Sequence, residues 1–338
     1  MGNERLTRRL FSAAAYGTGG LLGLSASVYG LLKTEARLAR RTIGYADDRV
    51  PDATGWYGRG RPGPAIKMVL LGDSSAAGYG VPTVEETPGA IIGSSLAAQA
   101  DRRVHLGVFS KVGAQSGDLA GQIDQALPTE PDAAMILIGA NDVTHGVPIG
   151  VAVRLLEEAV RRLVDAGVAV VVGTCPDLGT VQPIPQPLRF GARVWSRRLA
   201  AAQTIAVVEA GGRSVSLGSI LGPEFEAAPA MLFGPDRYHP SAAGYEAMAG
   251  VLVPSILAAL GLEPEDEGEP LALRGEGVLP IRFAAHEASR TPGTELGGTE
   301  VAGSHQGAAG RWVLLMRRRR PAMGDAESPH PEEGATAG

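Results

Sequence analysis

The chain has a single cysteine, Cys175, among 338 residues, so no intramolecular disulfide can staple it and its stability has to come from a buried core. Aromatic residues make up only 5% of the sequence and the formal net charge is a mild -5, which leaves neither a base-stacking platform nor a basic field to attract nucleic acid. No HExxH and no His/Cys/Asp cluster at ligand spacing occurs, so neither a metal nor another cofactor is expected. The GxSxG turn that carries a nucleophile in one large class of serine hydrolases is missing too. A GxGxxG pattern is present at Gly58, Gly60 and Gly63, but it precedes a strand instead of following one. Pro62 and Pro64 also forbid the helix whose amino end would hold a pyrophosphate, so the match is accidental.

With 44% hydrophobic and 20% charged residues, the chain is long and apolar enough for one globular domain with appendages. Residues 1–44 form the first of these. The stretch 10–32, "LFSAAAYGTGGLLGLSASVYGLL", carries no charge, and as a helix rising about 1.5 Å per residue it would cross a hydrocarbon core of about 30 Å. A membrane anchor is therefore expected. The "TRRLF" before it resembles the start of a twin-arginine export signal, so a cleaved signal and a soluble packing helix are the alternatives. Arginines and lysines flank both ends, Arg8 and Arg9 before and Lys33 and Arg37 after, so loop charge does not orient the segment. The extracytoplasmic side is the expected location, with secretion after cleavage as its alternative.

Residues 45–64, rich in Pro and Gly, read as a linker. Beyond them, short aliphatic runs alternate with longer helical patterns. "IKMVLLG", "RVHLGVFS", "AAMILIG", "GVAVVVG" and "TIAVVEA" are the predicted strands; helices are predicted around 87–100, 118–127, 149–165, 187–203 and 241–260. Strands that are almost continuously apolar are buried on both faces, which predicts a three-layer α/β/α sandwich with a parallel, flavodoxin-like sheet of about five strands over residues 65–261. In such sheets the chemistry sits just after the carboxyl ends of the strands.

Those strand ends carry a consistent set of groups. "GDSS" holds Ser74, "SKVGAQSG" holds Gly113, "GAND" holds Asn141, and "DRYHPS", in the turn before the last helix, holds Asp236 and His239. A serine hydroxyl attacks a carbonyl only when a histidine accepts its proton, and the histidine needs a carboxylate to orient it. Acyl transfer also needs donors aimed at the oxyanion. The turn after the first strand offers Asp-Ser-Ser-Ala-Ala and no lysine, which argues for a nucleophile and against a phosphate loop.

In this order the four blocks resemble the SGNH (GDSL-type) serine hydrolases, over residues from about 66 to 260. The resemblance implies Ser74 as nucleophile, His239 as general base and Asp236 as its orienting carboxylate. It implies the backbone N–H groups of Ser74 and Gly113 and the side-chain amide of Asn141 as the oxyanion hole. Ser75 stands where the family name suggests leucine, which leaves two adjacent hydroxyls; Ser74 holds the nucleophile's place in the motif. Ser241 is expected to cap the last helix, Asp142 to brace a loop, and His105 and His145 to be structural or peripheral.

Residues 262–338 begin with the acidic "EPEDEGEP", continue through a short glycine-rich piece that docks on the domain or stays partly disordered, and end in Arg317–Arg320 and a Pro/Gly/Glu tail expected to be disordered. The expected activity is hydrolysis of a small-molecule or lipid carboxylic ester at a membrane. A carbohydrate or cell-wall O-deacetylase and an idle membrane scaffold are the alternatives. The Pro-rich loop "CPDLGTVQPIPQPLRFG", residues 175–191, is the candidate substrate wall.

Overall fold

A computed structural model of the chain describes Gly30, Thr34, Glu35, residues 50–262 and residues 295–297. The expected anchor at 10–32, the arginine cluster and the tail lie outside the described residues, apart from Gly30.

Five parallel strands make the centre of the sheet: β2 (Ile66–Gly72), β3 (Val104–Val108), β4 (Ala133–Leu137), β5 (Ala169–Gly173) and β6 (Arg213–Val215). Their spatial order β3-β2-β4-β5-β6 is the flavodoxin-like order, with the switch point beside β2. Two short strands pair antiparallel at the edges, β1 (Gly55–Tyr57) on β3 and β7 (Glu295–Gly297) on β6. The stretch 45–64 is therefore more than a linker, because Gly55–Tyr57 caps one sheet edge. At the other edge the "GTELG" segment docks through β7.

Along the strands, neighbouring residues face opposite layers. Met68 and Leu70 of β2 join one core with helices α2 (Pro88–Ala100) and α7 (Ala242–Ala259). Val69 and Leu71 join the other, with α3 (Leu119–Ala126), α5 (Ile149–Asp165) and the carboxyl end of α6 (Leu188–Glu209), whose middle reaches the first core through Leu199 and Ala200. Helix α5 shows why it forms: Ala152, Leu156, Ala159, Val160 and Leu163 recur at helical spacing and are all buried. Helix α7 is apolar and long enough to cross a membrane, but Tyr245, Met248, Leu252 and Ile256 are buried in the core of the domain.

One predicted strand is wrong. "TIAVVEA", 204–210, continues α6 up to Glu209, and the fifth parallel strand is Arg213–Val215 instead. A short apolar run buried on one face reads the same in either state; here Thr204, Val207 and Val208 are buried at spacings of three and four, the signature of a helix. Gly211, at φ 90, and Gly212 then turn the chain into β6.

Two buried glutamines brace the site-bearing ends of this sheet. Gln122 on α3 accepts from the Gly72 N–H at 2.7 Å and donates to the Gly72 carbonyl at 2.9 Å. Gln203 on α6 accepts from the Cys175 N–H at 2.8 Å and donates to the Ile138 carbonyl at 3.1 Å. Replacing Gln122 with Leu leaves two backbone groups at Gly72 without this partner, so Gln122→Leu is expected to lose about 2–4 kcal/mol of stability, read as a lower urea midpoint at unchanged slope. A midpoint equal to that of the wild type would mean that the amide does not hold the strand end.

Candidate active site

The site begins where β2 stops. Gly72 sits at φ 129, and a Cβ there would collide with the Leu137 carbonyl of β4, so only glycine lets the two strand ends pass this closely. The next residue, Asp73, caps the short helix α1 (Ser74–Ala77) by accepting from the Ser75 N–H at 2.9 Å. Ser74 is thus the first residue of a helical turn. Its N–H makes no hydrogen bond to a described residue.

Ser74 meets residues far along the chain. Its Oγ lies 3.0 Å from Nε2 of His239, and Nδ1 of the same ring lies 2.6 Å from Oδ2 of Asp236. The other oxygen of Asp236 accepts from the N–H groups of Tyr238 and His239 at 2.9 and 3.0 Å, folding 236–239 into a tight turn. A carboxylate only accepts, so Nδ1 carries the proton and Nε2 is left to accept from the serine hydroxyl. The ring is held from two sides, by Tyr79 at 4.4 Å and Tyr238 at 4.8 Å between centroids. Ser241 caps α7 as expected, accepting from the Gly244 N–H.

Gly113 and Asn141 stand on the strand ends to either side of β2. Gly113 lies in the turn after β3 at φ 79, and Lys111 in that turn donates to the Gly72 carbonyl at 3.0 Å, tying it to the serine turn. Asn141 lies in α4 (Ala140–Thr144) after β4. Neither the Gly113 N–H nor the Asn141 side-chain amide donates to a described residue. The brace between these loops is Asp142, fully buried, which accepts from the N–H and the hydroxyl of Ser116. His145 bonds through Nδ1 to the Asn141 carbonyl at 2.9 Å, and His105 packs its ring against Trp56 at the β1 edge; neither lines the cleft described below.

The carboxylates differ in their surroundings. Burial raises Asp236, but the hydrogen bonds from His239 and Tyr238 outweigh it and hold the carboxyl below its usual value. Complete burial pushes Asp73 up to about 6, against the lowering effect of its hydrogen bonds from Ser75 and of the nearby His239. Burial also raises Asp142, against the Ser116 bonds.

Beside Ser74 opens a cleft of about 810 Å³, its open mouth included. Leu217, Leu221, Phe225, Phe233 and Met248 are among its apolar lining, with Phe225 and Phe233 packed edge to face at 4.8 Å. Pro176 to Val181, the first part of the expected substrate wall, form one side. That wall is clamped by Asp177, whose buried carboxylate accepts from Gly179 N–H and from two nitrogens of Arg197 at 3.0 and 2.8 Å.

Reading the sequence alone missed Gln122, Gln203, Tyr79 and Tyr238. Gln122 had a signal: a polar residue on the buried stripe Leu119, Gln122, Ile123, Ala126 needs a partner inside. Tyr79 and Tyr238 had none beyond adjacency to the blocks.

The profile of the GDSL-like lipase/acylhydrolase family matches residues 70–247. The GDSL-like esterase Rv1075c of Mycobacterium tuberculosis is 40% identical over 326 residues, covering 92% of this chain and 96% of that protein. Among solved structures, the chain is similar to the α/β hydrolase LAE5 from the metagenome of Lake Arreo, at TM-score 0.46 and 20% identity over 59% of this chain and 97% of that one. It is similar also to a lipase/acylhydrolase from Enterococcus faecalis, at TM-score 0.45 and 22% identity over 60% of this chain and all of the other.

Asp73 yields a test by titration. Its folded value of about 6 exceeds the unfolded value of about 4, so the folded state binds more protons in that window and loses stability as pH rises from about 4 to 6. Asn keeps the cap and cannot ionise. Asp73→Asn is therefore expected to gain stability relative to wild type across that window, on the order of 2–3 kcal/mol, and to hold the gain above it. Parallel stability–pH curves would show that the carboxyl is not strained by burial.

Proposed function

The chain belongs to the GDSL-like lipase/acylhydrolase family, and from this we propose that it hydrolyses carboxylic esters through an acyl-enzyme on Ser74. The observation that carries the proposal is the relay Ser74–His239–Asp236, at 3.0 and 2.6 Å, whose first contact joins residues 165 positions apart in the chain.

In this reading the Ser74 hydroxyl gives its proton to Nε2 of His239 as Oγ attacks the ester carbonyl. Asp236, kept ionised, stabilises the imidazolium and holds its orientation. The negative oxygen of the tetrahedral intermediate is received by the Ser74 N–H, the Gly113 N–H and the Asn141 amide, three donors left unengaged by described residues. Collapse breaks the ester C–O bond, and the proton on His239 goes to the departing alcohol. Water then attacks the acyl-Ser74 carbonyl, giving a proton to His239, which returns it to Oγ as the carboxylic acid leaves.

The apolar cleft supports an acyl chain as its occupant more than a sugar. The uncharged segment 10–32 supports membrane attachment, which would bring the enzyme to lipid esters.

A labelled fluorophosphonate is expected to modify wild-type protein at Ser74, located by mass spectrometry, and to leave Ser74→Ala unlabelled. His239→Ala is expected to lose about 1,000-fold or more in kcat with the fold intact. No adduct in folded wild-type protein, or undiminished turnover without His239, would sink the assignment. On p-nitrophenyl esters, kcat/KM is expected to rise from acetyl toward hexanoyl, by up to about fourfold for each buried methylene. Activity confined to acetyl esters would favour the O-deacetylase.

A further inference from the structure

The most exposed large apolar side chains among the described residues are Phe190, 65% exposed, and Met231, 62% exposed. They share one region. A depression next to the cleft is lined by Gln182, Met231 and Arg237, and reaches the cleft through Phe233. A second, lined by Gln182, Arg189 and Phe190, reaches it through Thr180. Both exposed side chains therefore stand at the rim of the same opening. At the amino-terminal cap and on the first half of α6, Pro187, Phe190, Gly191, Val194, Trp195 and Arg198 fall within about 140° of helix circumference at 100° per residue. The first five are uncharged and none is buried.

The unpaired charges named around this face are positive. Arg189, Arg198 and Arg237 form no ion pair with a described residue, while Glu226, the acid lining the second depression, is taken by Arg193 at 3.1 Å. Apolar projections among uncompensated arginines suit the headgroup region of an anionic bilayer.

The same face is tied to the amino-terminal segment. Glu35, 6% exposed, accepts from the Leu188 N–H at 2.9 Å, the first residue of α6. The uncharged stretch 10–32 ends three residues before Glu35. Three residues reach at most about 11 Å even when fully extended, so if 10–32 spans a bilayer, the amino end of α6 cannot be far from that bilayer's surface.

We propose that the exposed face of α6 and Met231 lie on the anionic lipid surface to which the amino-terminal segment is attached, so that the Ser74 cleft opens toward the membrane. The proposal rests on the membrane attachment inferred above and adds to it an orientation. Seated this way, the enzyme draws lipid esters from the bilayer across the Phe190 and Met231 rim into the apolar cleft.

The test uses the full chain with Phe190→Cys or Gln99→Cys, labelled with an environment-sensitive fluorophore; Cys175 is buried and escapes labelling. Gln99 is exposed near the end of α2, which leads into the start of β3 and so lies at the rim of the sheet opposite the site. Each protein is reconstituted into phosphatidylglycerol vesicles that carry nitroxide lipid. A label at 190 is expected to shift to the blue and lose more than about half its emission, and one at 99 to keep its emission. Equal quenching at both positions, or none at 190 in protein that floats with the vesicles, would overturn the orientation alone. Failure to float would overturn the attachment with it, while hydrolysis of a soluble acetyl ester by the same samples reports separately on the ester hydrolase. Neither Phe190 nor Met231 lines the cleft itself, so as a second arm Phe190→Ser with Met231→Ser is expected to lower hydrolysis of a vesicle-borne ester about tenfold and leave the soluble ester unchanged. Equal effects on both esters would count against the orientation.

Discussion

The passage of Gly72 against the Leu137 carbonyl is the constraint on which the rest of the site depends. Because β2 and β4 run that close, Asp73 can donate its N–H to the Leu137 carbonyl at 3.0 Å and start a helix at once. That abrupt change from strand to helix lifts Ser74 onto the rim and leaves its N–H outside the helical ladder. Gln122 closes the arrangement from the opposite layer, satisfying both backbone groups of Gly72. A side chain at Gly72 would separate the strand ends and move Ser74 away from a histidine fixed on a different part of the chain.

Two aspartates near the serine have opposite electrostatic situations, and the difference follows from counting donors. Asp236 receives three hydrogen bonds, two from backbone N–H groups and one from His239, which compensate its burial. Asp73 is bonded by Ser75 alone, through its N–H and its hydroxyl, and lies fully buried, so its charge is costly. The first suits a group that must stay ionised beside an imidazolium. The second suits a cap, whose work is to begin α1 at the right residue.

The cleft and the surface outside it share a common support. Asp177 and Arg197 fix the wall from Pro176 to Val181 against α6, and the same half of α6 carries the exposed Phe190 and Trp195. Any movement of α6 at a lipid surface would therefore be felt at the cleft wall. The contact of Glu35 with Leu188 attaches the amino-terminal segment to the same helix.

The blocks around Ser74, Gly113, Asn141 and His239, their order, and their places at strand ends were legible in the residues, since strand pattern, turn glycines and helix caps are set by neighbours within a few positions. The parallel centre of the sheet was legible for the same reason. Where the apolar run at 204–210 lies was not, because a one-sided buried helix and a buried strand share composition and only packing separates them. Nor were the edge strands, the glutamine braces, the tyrosines around His239 or the Phe225–Phe233 closure of the cleft. The edge strands, the glutamine braces and Tyr79 on His239 join residues distant in the chain, and such contacts exist only once the layers have packed. By itself the sequence determined which chemical groups would stand at the strand ends; the tertiary structure alone decided that Ser74 and His239, 165 residues apart, meet within hydrogen-bonding distance, because that distance is set by the packing of the whole sheet and not by any local run of residues.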